Sequence, residues 1–282
     1  MDAYTTGIGR EPEWELDADA QLGPDWPHAG RIEFDRVTMR YRETLEPALR
    51  CVTAVVAAHE KLGVAGRTGS GKSSLMLTLF RLYPLSESAE ASEKLSTVGR
   101  IMIDGVDIGT IGVHTLRRKL AIIPQDAFMF SGTLRENLDP FGEYDDERLW
   151  RALDDTNLRA FVNAELGGRL DARITEGGGN FSQGQRQLVC MARALLRRPK
   201  ILILDEATSS VDPATDALIQ TTVRANFRDA TVLTIAHRLG TIADADRICV
   251  LDRGRLAELD APAALERVEG GLYASMWAAS QH

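Results

Sequence analysis

Cysteine is scarce in this chain: Cys51, Cys190 and Cys249 stand alone among 282 residues. Each sits among apolar neighbours, with no CxxC pair and no histidine at ligand spacing. That excludes a disulfide framework and reads all three as small buried hydrophobes of a reducing compartment. Long apolar runs are missing too: no stretch approaches the roughly 18 consecutive apolar residues of a membrane helix. The acidic opening MDAYTTGIGREPEWELDADA has no apolar segment and so is not a signal peptide. Positive charge is in deficit, 33 Lys and Arg against 41 Asp and Glu for a net charge of -8. A basic face for nucleic acid is therefore not expected, although one nucleotide in a local pocket is not excluded. There are no internal repeats. The remainder is ordinary for a soluble globular protein, 44% hydrophobic and 26% charged, long enough for one large domain or a core with a subdomain.

Residues 1–30 mix Gly, Pro, Asp and Glu without hydrophobic period and read as a linker or loosely held arm. From Arg31 the pattern changes: RIEFDRVTMRY alternates, and ALRCVTAVVAA and KLGVAG are further strands. SSLMLTLFRLY reads as helix, 84–98 as an exposed serine-rich insertion, GRIMIDGVDI as strand and turn, and LAIIPQ as a short buried strand. From about residue 126 to 180 the chain turns helical and polar, with ERLWRALDDTNLRAFV the clearest amphipathic piece. After NFSQGQRQ, residues Leu188, Met191, Ala192, Leu195 and Leu196 form an apolar stripe at helical spacing. ILILDE and TVLTIAH are continuous apolar runs, the mark of parallel strands covered on both faces. RICVLDRGRLAEL reads as strand, Arg-Gly turn and strand. Strands alternating with helices define an α/β sheet core with a β-rich entry and an inserted helical subdomain.

The chemistry-bearing string is GRTGSGKSS, Gly66 to Ser74, which fits G-x-x-x-x-G-K-[ST] between a strand and a helix. In that setting the glycines let backbone N–H groups curl around phosphate oxygens. Lys72 reaches the outer phosphates, and the Ser73 hydroxyl takes one place on Mg²⁺. Asp205, at the carboxyl end of ILILD, is placed to hold Mg²⁺ through its water shell, and Glu206 to polarise an attacking water. His237 ends TVLTIAH; a lone histidine after a strand is more often structural, but an imidazole there can also bond a γ-phosphate and orient the water. Gln125 ends LAIIPQ, either as a strand-capping glutamine or as an amide contacting Mg²⁺ or the water.

In this order the residues resemble the nucleotide-binding domain of an ATP-binding-cassette (ABC) transporter. GRTGSGKSS looks like its Walker A, Gln125 its Q-loop, FSQGQ its signature, ILILDE its Walker B, Ser209 to Asp212 its D-loop, and His237 its H-loop. The longer stretches IIPQDAFMFSGTLRENLDPF, GQRQLVCMARALLRRPKILILDEATSSVD and TIAHRLGTIADADRICVLDRG resemble the second, C-terminal nucleotide-binding domain of a multidrug-resistance-associated-protein-type exporter, subfamily C. The resemblance covers about residues 31–260. It implies an α/β fold: a P-loop NTPase (RecA-like) core, an antiparallel β subdomain and an inserted α-helical signature subdomain at about 126–195. The whole domain is then expected over 31–265, with a tail at 266–282.

The same resemblance implies the cofactors ATP and Mg²⁺ and a full set of contacts. Tyr41 would stack on adenine, Gly66, Arg67, Thr68, Gly69, Ser70, Gly71, Lys72, Ser73 and Ser74 would wrap the phosphates, and Asp205, Ser73 and Gln125 would serve the metal. Glu206, His237, Gln125 and Lys72 would be catalytic, while Ser182, Gly184 and Gln185 would meet the ATP of another domain. Two such domains pair head to tail, and Asp126 to Glu136 would lie against the transmembrane domains, at the cytoplasmic face of a membrane. The chain then reads as an excised cytosolic piece. Subfamily C often combines a weak and a competent site; Glu206 makes the Walker site here the competent one. Phe181 and Gln183 depart from the general signature, and Gln183 in place of glycine is expected to cost backbone freedom. An ATP-gated regulatory domain of a channel fits the same residues. A non-transport ABC ATPase of DNA repair or translation is a less favoured alternative: Gln125 and Ser182 are only about sixty residues apart with no sustained heptads between, where the repair type carries a long coiled coil, and the acidic balance speaks against it.

Overall fold

The computed structural model describes residues 13–87, 98–205, 211–236 and 238–280. Strands β1 (Ile32–Met39) and β2 (Leu49–Val56) pair antiparallel, followed by β3 (Lys61–Ala65) and helix α1 (Lys72–Leu79). Then come β4 (Arg100–Ile103), β5 (Val106–Asp107), α2 (Val113–Lys119), β6 (Leu120–Ile123) and β7 (Gly132–Thr133). Helices α3 (Leu134–Leu138), α4 (Asp146–Asp155) and α5 (Arg159–Glu165) lead to β8 (Arg173–Ile174) and α6 (Gln183–Arg197). The chain ends through β9 (Ile201–Asp205), α7 (Pro213–Asn226), β10 (Thr231–Ile235), β11 (Arg247–Asp252), β12 (Arg255–Asp260), α8 (Pro262–Leu265) and α9 (Leu272–Ser280).

The strands make a four-stranded antiparallel sheet in the order β2-β1-β4-β5, a six-stranded sheet in the order β12-β11-β3-β10-β9-β6, and a small β7-β8 pair. Within the six-stranded sheet β11, β3, β10, β9 and β6 run parallel and β12 antiparallel. Strand β9 explains its own continuous apolar run. Ile201 and Ile203 pack with the antiparallel sheet and α1, whereas Leu202 and Leu204 pack with the helical layer around α4 and α6. Alternate side chains thus point into two different cores, so neither face can be polar. The expected α/β architecture is the one observed. Among the described residues no helix is long and apolar enough to cross a membrane.

Several local expectations change. SSLMLTLFRLY is helical only to Leu79, because Arg81 turns left-handed (φ 51°). Its N–H returns to Thr78 O and that of Leu82 to Leu77 O, closing a Schellman-type stop. ERLWRALDDTNLRAFV is two helices for the same reason: Asn157 adopts φ 55° and Leu158 N–H reaches back to Leu153 O. The stripe on α6 is wider than five residues. Gly184, Gln187, Val189, Cys190 and Ala194 are buried as well, while Leu195 is only partly covered. Cys51 is half-buried rather than buried; Cys190 and Cys249 are buried, and desolvation pushes the Cys249 thiol up to about 12.

Of the arm expected at 1–30, residues 1–12 lie outside the described residues, and 13–30 are docked. Trp26 is buried and donates its indole N–H to Ile103 O at 3.0 Å. Asp19 accepts from Gly112 N–H at 2.8 Å and Thr115 Oγ1 at 2.7 Å, and Trp14 stacks on His114 with centroids 4.8 Å apart. At the other end, the tail expected from 266 contains α9, whose Tyr273 is fully buried against Ala65, Ile242 and Val250. Most of the serine-rich insertion, 88–97, lies outside the described residues.

Candidate functional site

The glycine-rich loop leaves the sheet directly from β3. Gly66 has φ 148°, and a Cβ there would stand 2.4 Å from both Leu251 O and Ser70 Oγ. Gly71 has φ 109°, and its Cβ would stand 2.8 Å from Ala48 O. Both turns therefore require glycine on conformation and on space. Gly71 is also the N-cap of α1; no side chain caps that helix and no acid occupies its first turn. The first N–H groups of α1 thus face the loop without an internal competitor, which is what an anion needs. Across the loop, Lys72 Nζ donates to Gly66 O at 2.8 Å and Arg67 O at 3.3 Å. Ser70 Oγ is buried without a partner among the described residues, and the Ser73 side chain is exposed beside it. Arg67, Thr68 and Gly69 form the exposed rim. A tight loop with an orphaned hydroxyl, an ammonium and uncapped amides fits a group bearing several anionic oxygens.

Tyr41 follows β1 and reaches this loop. Its hydroxyl lies 2.9 Å from Ser74 Oγ, its ring meets Tyr83 edge-on, and its residue is 40% exposed. It packs locally and still presents ring surface at the loop.

Parallel registry brings the other groups to the same sheet edge. Val64 of β3 is level with Ile235 of β10, Ile235 with Asp205 of β9, and Leu204 with Ile123 of β6. The carboxyl ends of these neighbouring strands thus lead into the glycine loop, Asp205 and, through Pro124, Gln125. Such an edge is where open α/β sheets bind ligands. Gln125 is exposed and Asp205 half-exposed. Glu206, Ser209, Ser210 and His237 lie outside the described residues. Asp212, the last residue of the SSVD stretch, caps α7 by accepting from Thr215 Oγ1 (2.7 Å), Thr215 N (3.0 Å) and Ala214 N (3.1 Å). Those bonds, that of the Thr215 hydroxyl first, hold its carboxyl below the usual carboxylate range.

The FSQGQ stretch starts α6. Ser182 is its N-cap: Ser182 Oγ accepts from Gln185 N at 3.2 Å, while Ser182 N donates to Gln185 Oε1 at 2.8 Å. This capping box occupies the groups named for a partner's phosphate, although the Ser182 O–H proton is still available to donate. Gly184 is buried because α7 lies over it; a Cβ there would be 3.0 Å from Thr215 Oγ1. Gln183 has no positive φ, being the first residue of a regular helix. The expected backbone cost of a non-glycine at 183 is therefore absent. Phe181 is buried edge-to-face on Phe161, which accounts for a large apolar residue before the serine.

Three polar residues that sequence reasoning passed over tie α6 to the loop after β6. Gln187, 1% exposed, donates from Nε2 to Pro124 O at 2.9 Å and Gln125 O at 2.7 Å. Arg193 donates to Asn137 O through Nε, to Asn137 Oδ1 (3.1 Å) and to Phe128 O (2.8 Å). Asn137, fully buried, accepts from Phe130 N–H and donates to Phe130 O, both at 2.9 Å. Between these clamps Phe128 and Phe130 project to 60% and 50% exposure, ring against ring. A glutamine and an arginine within an apolar helical stripe were the available signal.

With this geometry in place, the comparisons agree. A family model described as ABC transporter matches residues 49–209, more than half of the chain. The chain belongs to the ABC transporter family. It is 54% identical over 270 residues to ABC transporter C family member 12 of Dictyostelium discoideum, covering 95% of this chain and 19% of that protein. It is 50% identical over 269 residues to ATP-binding cassette sub-family C member 2 of Homo sapiens, covering 95% of this chain and 16% of that protein. The chain thus spans less than a fifth of the curated relatives it matches. A solved structure described as a bacterial Atm1-family ABC exporter with ATP bound aligns with 98% of this chain and 44% of its own, at TM-score 0.81 and 33% identity. Domains of this family bind ATP, generally with Mg²⁺.

Proposed function

We propose that this chain is the ATP-binding and ATP-hydrolysing engine of a subfamily C exporter, in the position of its second nucleotide-binding domain. Convergence carries the reading: the glycine loop, Asp205 and the Gln125 corner emerge from adjacent strand ends at one edge, while the start of α6 faces outward.

Bound MgATP supplies the phosphoryl group and the charge-neutralising metal. The chain's own residues do the rest. Tyr41 stacks on the base. The backbone of Gly66 to Ser74 and the Lys72 ammonium neutralise phosphate oxygens. Ser73, Asp205 and Gln125 hold the metal and its waters. Glu206 takes the proton of the attacking water, and His237 orients that water. Ser182, Gly184 and Gln185 complete the site of a second domain, paired head to tail. The exposed Phe128 and Phe130 support contact of the 126–136 segment with transmembrane domains at the cytoplasmic face of a membrane. The nucleotide-binding core spans 31–265, with the helical subdomain at about 126–195, and residues 13–30 and α9 pack onto that core from either side of it in sequence.

The test is hydrolysis against protein concentration. The chain should bind one MgATP and turn it over slowly, with specific activity rising as the concentration rises, because the second signature comes from another molecule. Rapid, concentration-independent hydrolysis by the monomer would contradict the shared site.

A further inference from the structure

Gln187 occupies a place that apolar packing alone does not explain. It sits one turn into α6, is 1% exposed, and its neighbours on the helix (Leu188, Val189, Cys190 and Met191) are core residues. Burying a primary amide is costly unless its hydrogen bonds are met. Here only the donor half is met: Nε2 gives its two protons to Pro124 O at 2.9 Å and Gln125 O at 2.7 Å, while Oε1 has no partner among the described residues. The side chain thus acts as a double donor aimed at two consecutive carbonyls. Those carbonyls belong to the residues that carry the chain off the end of β6, where it must present the Gln125 side chain to the sheet edge.

We propose that Gln187 is a positioning residue. It fixes the Gln125 corner to the first turns of α6, so that the Gln125 side chain and the Ser182 end of α6 move as one piece. The inference rests on the reading of Gln125 as a metal and water contact. Arg193, two turns further along α6, extends the same attachment to Phe128 and Asn137, but it grips the loop beyond the corner and cannot replace the bonds at 124 and 125. Glutamine suits the task because an amide has two N–H donors and no charge. A methionine of similar volume donates nothing, and a glutamate would bring a carboxylate against two carbonyl oxygens.

The experiment compares this chain with Gln187→Met, and with Gln187→Glu in case methionine packs unusually well. Hydrogen exchange read by mass spectrometry should show amides of 125–131 exchanging several-fold faster in Gln187→Met, with β3 and β9 unchanged. In the assembled transporter, the Mg²⁺ concentration for half-maximal ATP hydrolysis should rise several-fold while ATP affinity stays within twofold. In a Gln125→Ala background the same substitution should add nothing to that Mg²⁺ requirement, because the group it positions is gone. Unchanged exchange at 125–131 overturns the proposal, and so does loosening that spreads equally through β3 and β9, which marks a merely structural role. Faster exchange with an unaltered Mg²⁺ requirement overturns it also. Failure of the wild-type chain to bind MgATP would instead refute the nucleotide reading, and the exchange result would still decide whether the corner is held.

Discussion

Two helix starts in this protein are built on opposite plans. The first turn of α1 has a glycine N-cap with φ 109°, no side-chain cap and no acid, so its N–H groups look into a loop of the same chain. The first turn of α6 has a serine N-cap whose oxygen already accepts from Gln185 N–H, and a Gln185 amide that returns the bond. An uncapped start leaves backbone donors wanting a partner; a boxed start can stand in water without one. The difference bears on the proposed function. On that proposal the α1 end is completed by its own ligand, whereas the boxed α6 end stands as an exposed surface until another domain's phosphate displaces or shares its cap.

The largest effect that sharpens this contrast is at Lys72. Lys72→Met removes the ammonium at the loop while leaving the glycine turns intact, and a charge-assisted phosphate contact of about 2–3 kcal/mol is lost. ATP affinity of the isolated chain, measured by equilibrium binding of a fluorescent analogue, should fall about a hundredfold. A change smaller than threefold would break the view that the α1 end binds by itself.

Next in size is Gly184→Val. The added side chain meets Thr215, whose Oγ1 and Cγ2 would lie 3.0 and 3.1 Å from a Cβ at that position. Overpacking of this kind costs about 2 kcal/mol, which for a domain of this size lowers the melting temperature by roughly 3–4 °C. Thr215→Ala should recover at least half of the loss, and ATP affinity should not move. Calorimetry with and without ATP separates the two readouts. Ser182→Ala is smaller still: it removes one capping acceptor and should cost about 1 kcal/mol of stability. Single-domain ATP binding should be unaffected; a weakened Walker site in the same molecule would mean the two helix starts are not independent.

The reason some of this was legible in the sequence, and some not, lies in the range of the forces. ILILD and TVLTI announce buried parallel strands because burial on both faces leaves a continuous apolar string, and GRTGSGKSS announces its turns because only glycine fits them. The two helix stops at Arg81 and Asn157 were missed because an arginine or asparagine in the left-handed region carries weaker local signal than glycine. The docking of Trp26 and α9 was missed for a different reason: each depends on partners far away in sequence, Ile103 for one and Ala65 for the other. Gln187 and Arg193 were hidden in plain composition. Their meaning depends on carbonyls 62 and 65 residues away.

The smallest effect bears on Gln183, where the two helix starts differ most directly in their backbone. At Gly71 a side chain is forbidden by φ and by Ala48 O; at Gln183 the residue is simply the first of a regular helix. If glycine were needed there, Gln183→Gly would relieve strain and raise stability. The observed geometry argues the reverse, since glycine gives up more conformational freedom on entering a helix than glutamine does. At a helix start the penalty is reduced, so the variant should be destabilised by about 0.5 kcal/mol, a shift of roughly 1–2 °C in melting temperature. The half-exposed Gln183 side chain can therefore influence only what lies against it from outside. A stabilised Gln183→Gly would show that the start of α6 is strained, and the two helix starts would then differ less than their caps suggest.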